Sequence, residues 1–353
     1  MTQSSLSRQA NPAPFNKGSD ASNTAKLDSR LPFVDYAILL KPRVMSLVLF
    51  TGFTGMLLAP GNINVLTATI AVICIALGAG ASGAINMWYD RDIDQMMKRT
   101  MHRPLPAGRL KPHAALWLGT ILSMVSIGVM TIYVNLTSGI LLATTIAFYV
   151  FIYTIWLKRR TPQNIVIGGA SGALPPVIGW AAVTNDISLG SLVLFSIIFL
   201  WTPPHFWALS LYLSGDYEKA GVPMMPVVSG EAETKRQILI YTLILVPVTL
   251  VPAFIGISSP IGSIFIALFG LLFIWHAYRV RSSSGPNAPS SVSGLATSSC
   301  SAMLRSSAVF PIPGRPEIQI TLRSPLASST ALRLSFLPIN ALIRGASPII
   351  TPF

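Results

Sequence analysis

"VLTATIAVICIALGAGASGAINMWYDRDID", residues Val65 to Asp94, carries no charge through Tyr89 and then places three aspartates within five positions. A helix needs roughly 20 apolar residues to cross a bilayer, and this run is long enough. It lacks the apolar–polar alternation of a strand, and a helix satisfies its own backbone in lipid. The same reading extends over the chain. Eight apolar runs stand out: Tyr36–Leu58, Val65–Trp88, Ala114–Val134, Gly139–Leu157, Ile165–Val183, Leu189–Leu213, Ile238–Ile257 and Ile261–Tyr278. Of the 353 residues only 10% are charged and 52% are hydrophobic, against about 25% charged in soluble domains. The mean hydropathy is +0.61. The expected fold is an all-α, polytopic membrane helical bundle with its function performed in or at the bilayer.

The basic residues set an orientation. Up to Arg279 they fall in the N-terminal segment, in loops 89–113, 158–164 and 214–236, and after the eighth run, while loops 59–64, 135–138, 184–188 and 258–260 have none. Positive residues mark the cytoplasmic side, which puts the N-terminus and the charged loops there. The net charge of +13 reads as topology signals and anionic-lipid contacts rather than a nucleic-acid patch. Cys74 and Cys300 have no metal-ligand spacing and imply no disulfide framework.

Topology accounts for bases and leaves the acids unexplained. Asn86, Asp90 and Asp94 are spaced four apart, which on a helix aligns three oxygen-bearing side chains along about 12 Å of axis. Asp92 falls near the opposite face, within reach of Arg91 or Lys98. Such a ladder suits a hard cation, and Mg²⁺ commonly takes one or two carboxylates with phosphates completing its shell. Lys98, Arg99, Arg103, Arg109 and Lys111 follow and can hold phosphate charge. The competing reading is that the acids merely balance neighbouring bases. Gly78, Gly80 and Gly83 upstream permit close helix packing.

A second charged loop, "SGDYEKAGVPMMPVVSGEAETKRQ" (214–237), places Asp216 and Tyr217 just after the sixth run. Its i+4 partner is Ala220, so a second ladder is incomplete. Within the membrane, "FLWTPPHFWALSLYL" (199–213) carries His205 behind Pro203 and Pro204. Two prolines are expected to break the helix there. An intramembrane imidazole invites a functional reading, either as a ligand group beside Trp201, Phe206 and Trp207 or as the partner of a freed carbonyl. "YTIWLKRRTPQNIVIGGASGALPPVIGW" (153–180) sets Tyr153 and Lys158 at the end of the fourth run and Asn164 at the start of the fifth, with small residues at 168–172 and an expected kink at Pro175 and Pro176. Lys41 and Arg43 stand at the mouth of the first run, as substrate contacts or as anchors.

Together "NMWYDRDID", "RPLPAGR", "YTIWLKRRTPQNIVIGG", "WTPPHFWALSL" and "DYEKAGVPMMPVV" resemble the UbiA-type intramembrane prenyltransferases, and specifically their haem branch, from Leu31 to Val280. The resemblance implies a helical bundle of nine spans whose active site opens to the cytoplasmic face of a bacterial inner membrane. It implies transfer of farnesyl from farnesyl diphosphate to a vinyl group of haem B, giving haem O, with Mg²⁺ as cofactor and a haem A synthase downstream. Matched residue by residue, Asn86, Asp90, Asp94, Asp216 and His205 carry over from the family, Asp90, Asp94 and Asp216 as implied metal ligands. The expected catalytic groups are these aspartates with Lys158, and the expected substrate contacts are Asn86, Lys41, Arg43, Arg99, Arg103, Tyr153, Asn164, His205 and Tyr217. A homologous prenyltransferase for an aromatic or quinone precursor would share the aspartates without needing the His205 region. A haem-binding or transport protein would need His205 but not Asn86, Asp90 and Asp94.

The ends differ from the 31–280 body. Residues 1–30 are polar, lack an apolar signal core and read as a disordered leader. From 281 to 353 the chain becomes rich in Ser and Pro, where a ninth span is expected, and reads as a low-complexity tail of frameshifted or divergent origin.

Overall fold

The computed structural model describes residues 32–282. The expected leader 1–30, the ninth span and all of the tail except Arg281 and Ser282 lie outside the described residues. Every regular element among the described residues is helical: α1 Pro32–Leu39, α2 Pro42–Leu58, α3 Val65–Tyr89, α4 Arg91–Met96, α5 Pro112–Tyr133, α6 Leu136–Ala147, a π-helix Phe148–Leu157, α7 Asn164–Ala173, α8 Pro175–Thr184, α9 Leu189–Tyr212, α10 Ser214–Lys219, α11 Met225–Phe254 and α12 Pro260–Ser282. Helix starts follow local chemistry. Proline, which has no N–H to leave unsatisfied, opens α2, α5, α8 and α12. The Asn64 and Asn135 side chains accept from Leu66 N and Ser138 N, both at 2.8 Å, capping α3 and α6.

Seven helical stretches are long and apolar enough to cross a membrane, with Pro42–Leu58 as a shorter apolar helix. The chain is an integral, multi-pass membrane protein. The first expected run, Tyr36–Leu58, is two helices instead of one. Lys41 sits between them in a left-handed conformation, φ 52°; the proline that follows it disfavours the right-handed helical region there and so breaks the run. The seventh run begins earlier than expected, since α11 starts at Met225 and passes a non-helical Gly230, φ 79°. The expected kink in the fifth run is present: α7 ends at Ala173 and α8 starts at Pro175.

That broken helix is central. In Asn164–Thr184, 72% of the most apolar stretch is buried inside the protein, against 17% for Pro260–Ser282. α2 lies against α8 so closely that a Cβ on Gly179 would strike the Gly52 carbonyl and one on Gly55 the Pro176 backbone. α3 packs on α5, and α9, α11 and α12 form a second group. Ile75, Met130, Leu142 and Ile178 knit the first core, and Trp207, Ile238, Leu245 and Phe273 the second. Large apolar side chains such as Leu66, Trp117, Ile132 and Phe254 are exposed, the surface that lipid covers.

Candidate functional site

The aspartate ladder survives folding. Asp90 closes α3 with φ −89°, ψ 8°, yet Asp90 N donates to Asn86 O and Asp94 N to Asp90 O, each at 2.9 Å. The helical path therefore continues, and Asn86, Asp90 and Asp94 are all buried. Asn86 Nδ2 donates to Asp90 Oδ2 at 2.7 Å and to Thr154 Oγ1 at 3.2 Å, while Lys41 Nζ donates to Asn86 Oδ1 at 2.5 Å. Lys158 Nζ donates to the same Asp90 Oδ2. Arg103 Nη1 donates to Asp94 Oδ2 at 2.8 Å. The Arg159 guanidinium lies 3.8 Å from Asp90 Oδ1, too far to bond it, and that oxygen is buried with no hydrogen-bond partner.

Arg103 and Lys158 thus bond the two buried carboxylates, Arg159 stands 3.8 Å from one of them, and Lys41 joins the group through Asn86. Burial first, and then the like charges of Arg103 and Lys158, push the Lys41 ammonium down to about 7, so an arriving anion restores its charge. A site with surplus positive charge is complementary to a polyanion, and hydrogen bonds to ionised phosphate are among the stronger kind. The donor set also fits a hard cation. Asp90 Oδ1 keeps its lone pairs, and carboxylate oxygens are the preferred ligands of Mg²⁺. No cluster of three or more Asp, Glu, His or Cys gathers among the described residues, and Mg²⁺ is commonly held by one or two carboxylates with waters and phosphates completing its shell.

Several expected residues behave differently. Asp92 pairs with neither Arg91 nor Lys98. Arg159 grips it through both nitrogens at 2.7 and 2.8 Å, and these bonds hold its carboxyl below the usual range. Arg109 is engaged elsewhere: its Nε donates to both Asp35 oxygens at 3.1 Å, tying α1 to the first charged loop. Arg43, Lys98, Arg99 and Lys111 are exposed and make none of the bonds to the aspartates.

Asp216 is half-buried on α10. Its loop is brought to the first by an apolar cluster of Ile93, Met97, Ile165, Ala220, Val222 and Met224, with Tyr217 packed against it. Ala220 belongs to that cluster, so a carboxylate there would be buried among apolar side chains, which accounts for the incomplete second ladder. The Tyr153 ring lies 5.3 Å from that of Tyr149, tilted by 40°, and Gly168 leaves room for it. Asn164 is fully buried. It donates to Thr161 O at 2.6 Å, while its Oδ1 has no partner.

His205 lies on α9, which runs through Pro203 and Pro204 unbroken, contrary to expectation. Each proline removes one donor, but its fixed φ suits a helix, and Thr202 Oγ1 bonds the Ile198 carbonyl at 2.7 Å. The His205 ring stacks on Trp201 at 4.4 Å, and its Nδ1 is buried without a hydrogen bond. Thr154, Tyr149 and Arg159 were missed in the sequence. Their signal is the five-residue spacing from Tyr149 to Thr154 and from Tyr153 to Lys158, which an α-helical period does not align.

Comparison with known proteins gives the family and the fold. The model of the UbiA prenyltransferase family matches residues 48–298. The chain is 60% identical over 246 residues to protoheme IX farnesyltransferase 2 of Mesorhizobium japonicum, covering 70% of this chain and 78% of that one. It is 54% identical over 280 residues to protoheme IX farnesyltransferase of Parvibaculum lavamentivorans, covering 79% and 85%. Among solved structures, digeranylgeranylglyceryl phosphate synthase superposes with TM-score 0.66 at 19% identity, covering 78% of this chain and 97% of that one. A UbiA homologue from Archaeoglobus fulgidus bound to GPP and Mg²⁺ gives 0.57 at 16%, covering 78% and 98%. These two share the fold at low identity. With a family match over most of its length and relatives above half identity, the chain belongs to the UbiA prenyltransferase family.

Proposed function

We propose that this prenyltransferase moves the farnesyl group of farnesyl diphosphate onto a vinyl group of haem B, giving haem O and diphosphate. The observation that carries this reading is the buried Asp90–Asp94 pair, with Asp90 Oδ1 unbonded, ringed by Lys41, Arg103, Lys158 and Arg159. The haem substrate is supported by the relatives named protoheme IX farnesyltransferase. The positive-inside distribution supports a cytoplasmic aspartate end and N-terminus, and an inner-membrane location.

The roles follow from chemistry. Asp90 and Asp94 hold the cation, and Asp216 stands on the second loop, which packs against the first. When bound, Mg²⁺ neutralises diphosphate charge and makes it a better leaving group. Lys41, Arg103 and Lys158 bind the diphosphate and stabilise its charge as the allylic C–O bond breaks. Asn86 orients Lys41, and Asn164 offers its unbonded Oδ1 to the substrate. Arg43 and Arg99 attract the anion from the exposed rim. Tyr153 and Tyr217 flank the farnesyl end. The haem vinyl carbon forms the new C–C bond, water adds to the adjacent carbon, and one proton is released. The apolar bundle keeps water from the allylic cation before that attack. His205, on a wall with Trp201 and Phe206, faces the haem.

Membranes containing the chain are expected to form haem O from haem B and farnesyl diphosphate, to stop with EDTA and to resume with Mg²⁺. Pigment analysis showing no haem O would overturn the reading. His205→Ala is expected to raise the haem requirement about tenfold, the effect of one lost interaction of ordinary strength, with the farnesyl diphosphate requirement unchanged. Separate titrations of the two substrates check this, and equal haem dependence with a normal rate would reduce His205 to a packing residue.

A further inference from the structure

We infer that Thr154 is a positioning residue for the diphosphate and cation site, set in place by the π-helical register of Phe148–Leu157. The inference rests on the function proposed above and names a residue that sequence motifs do not single out.

The π-helix is the first observation. Such turns are usually single and concentrate at functional sites, whereas this one runs ten residues. Most helical threonine hydroxyls among the described residues bond the carbonyl four residues back, as Thr131 does to Ile127, Thr145 to Leu141 and Thr242 to Ile238, and Thr51 and Thr249 bond three back. That is the ordinary habit in α-helices. Thr154 instead donates to Tyr149 O, five residues back, at 2.8 Å. Lys158 N donates to Tyr153 O, also five back, at 3.0 Å. The same register therefore places Thr154 beside Asn86 and Lys158 beside Asp90.

The second observation is the direction of the bonds. The single Thr154 hydroxyl proton is committed to Tyr149 O, so Oγ1 meets Asn86 Nδ2 as an acceptor at 3.2 Å. Asn86 Nδ2 donates both to Thr154 and to Asp90 Oδ2, and Asn86 Oδ1 is left to accept from Lys41. Turning the amide over would set its carbonyl against the Asp90 carboxylate and the Thr154 lone pair, and its NH₂ against the Lys41 ammonium. Thr154 thus helps lock the amide in the one orientation that holds Lys41 and occupies Asp90 Oδ2, leaving Asp90 Oδ1 for the cation. Thr154 is fully buried at 0% exposure and does not itself contact the substrate.

The test compares Thr154→Val, which keeps shape and removes the hydroxyl, with Thr154→Ser, which keeps the hydroxyl. The full chain in nanodiscs is titrated by calorimetry with farnesyl thiolodiphosphate, an unreactive analogue, in the presence of Mg²⁺. Thr154→Val is expected to weaken binding about tenfold and Thr154→Ser to stay within about twofold of wild type, the scale of one hydrogen bond. Thermal midpoints are recorded alongside. Unchanged binding by Thr154→Val overturns the inference, whether or not its midpoint falls. So does a Thr154→Ser variant that binds as poorly as Thr154→Val. Haem O formation by wild type is followed separately. Wild type that binds the analogue yet makes no haem O sinks the haem reading while the comparison of the two variants still decides Thr154. Wild type that does not bind the analogue overturns both.

Discussion

Asp90→Asn is expected to lower haem O formation by roughly 10²–10³-fold, the range seen when one preorganised group at a reacting charge is removed. Asp94→Asn should fall in the same range. The substitution keeps the shape of a side chain that is 1% exposed, so little packing is lost. What changes is charge. Asp90 Oδ1 is the buried, unbonded oxygen that an amide replaces with a weaker ligand, or with an NH₂ that repels a cation. The pocket gains one unit of positive charge relative to Lys41, Lys158 and Arg159, so binding of the diphosphate need not weaken. The loss should therefore appear mainly in turnover and in a raised Mg²⁺ requirement, with a modest change in the farnesyl diphosphate requirement. Haems extracted from membranes and separated by chromatography give the rate, and immunodetection of the inserted protein gives the amount. An inserted Asp90→Asn protein that keeps a tenth or more of normal activity would remove Asp90 from the cation site.

How far the sequence alone reached depends on which contacts are local. Asn86, Asp90 and Asp94 were legible because their spacing matches the helical repeat and the backbone bonds carry that repeat past Asp90. The apolar runs were legible because a bilayer imposes length and hydropathy on each span. The break at Lys41 was less so. The run Tyr36–Leu58 looks uniform by hydropathy, and only the following proline signals that the helix must restart. The double proline at 203–204 misled in the opposite direction, since loss of two donors did not end α9. Asp92 with Arg159 and Asp35 with Arg109 join residues 67 and 74 positions apart, and no local pattern pairs them. The π-helix was hidden because its aromatic and apolar residues also suit an α-helix. Read with the ordinary period, Thr154 and Lys158 do not share the face of their actual partners, so the residue that orients Asn86 went unnoticed.

Lys158→Met is expected to reduce transfer about 10²-fold and to destabilise the protein by about 3 kcal/mol or more, the scale for removing one partner of a buried ion pair. Methionine preserves most of the aliphatic stem, so the change isolates the ammonium. Lys158 bonds Asp90 Oδ2, and the two side chains are 20% and 1% exposed. Without Lys158 the Asp90 carboxylate keeps Asn86 and a distant Arg159, too little to offset its burial. Asp90→Asn would leave Lys158 in the complementary position. The double variant therefore separates stability from chemistry. Removing both charges should recover part of the thermal stability that Lys158→Met loses, because no buried carboxylate is left alone. It should recover none of the activity, because both the cation ligand and the diphosphate partner are gone. Thermal midpoints and haem O rates of the four proteins complete the cycle. Strictly additive losses of stability would mean that the two groups do not depend on each other, and the buried pair at the centre of the site would have to be abandoned. Lys158→Arg should fall between, since the guanidinium keeps the charge but its larger planar fork must share the space beside Arg159.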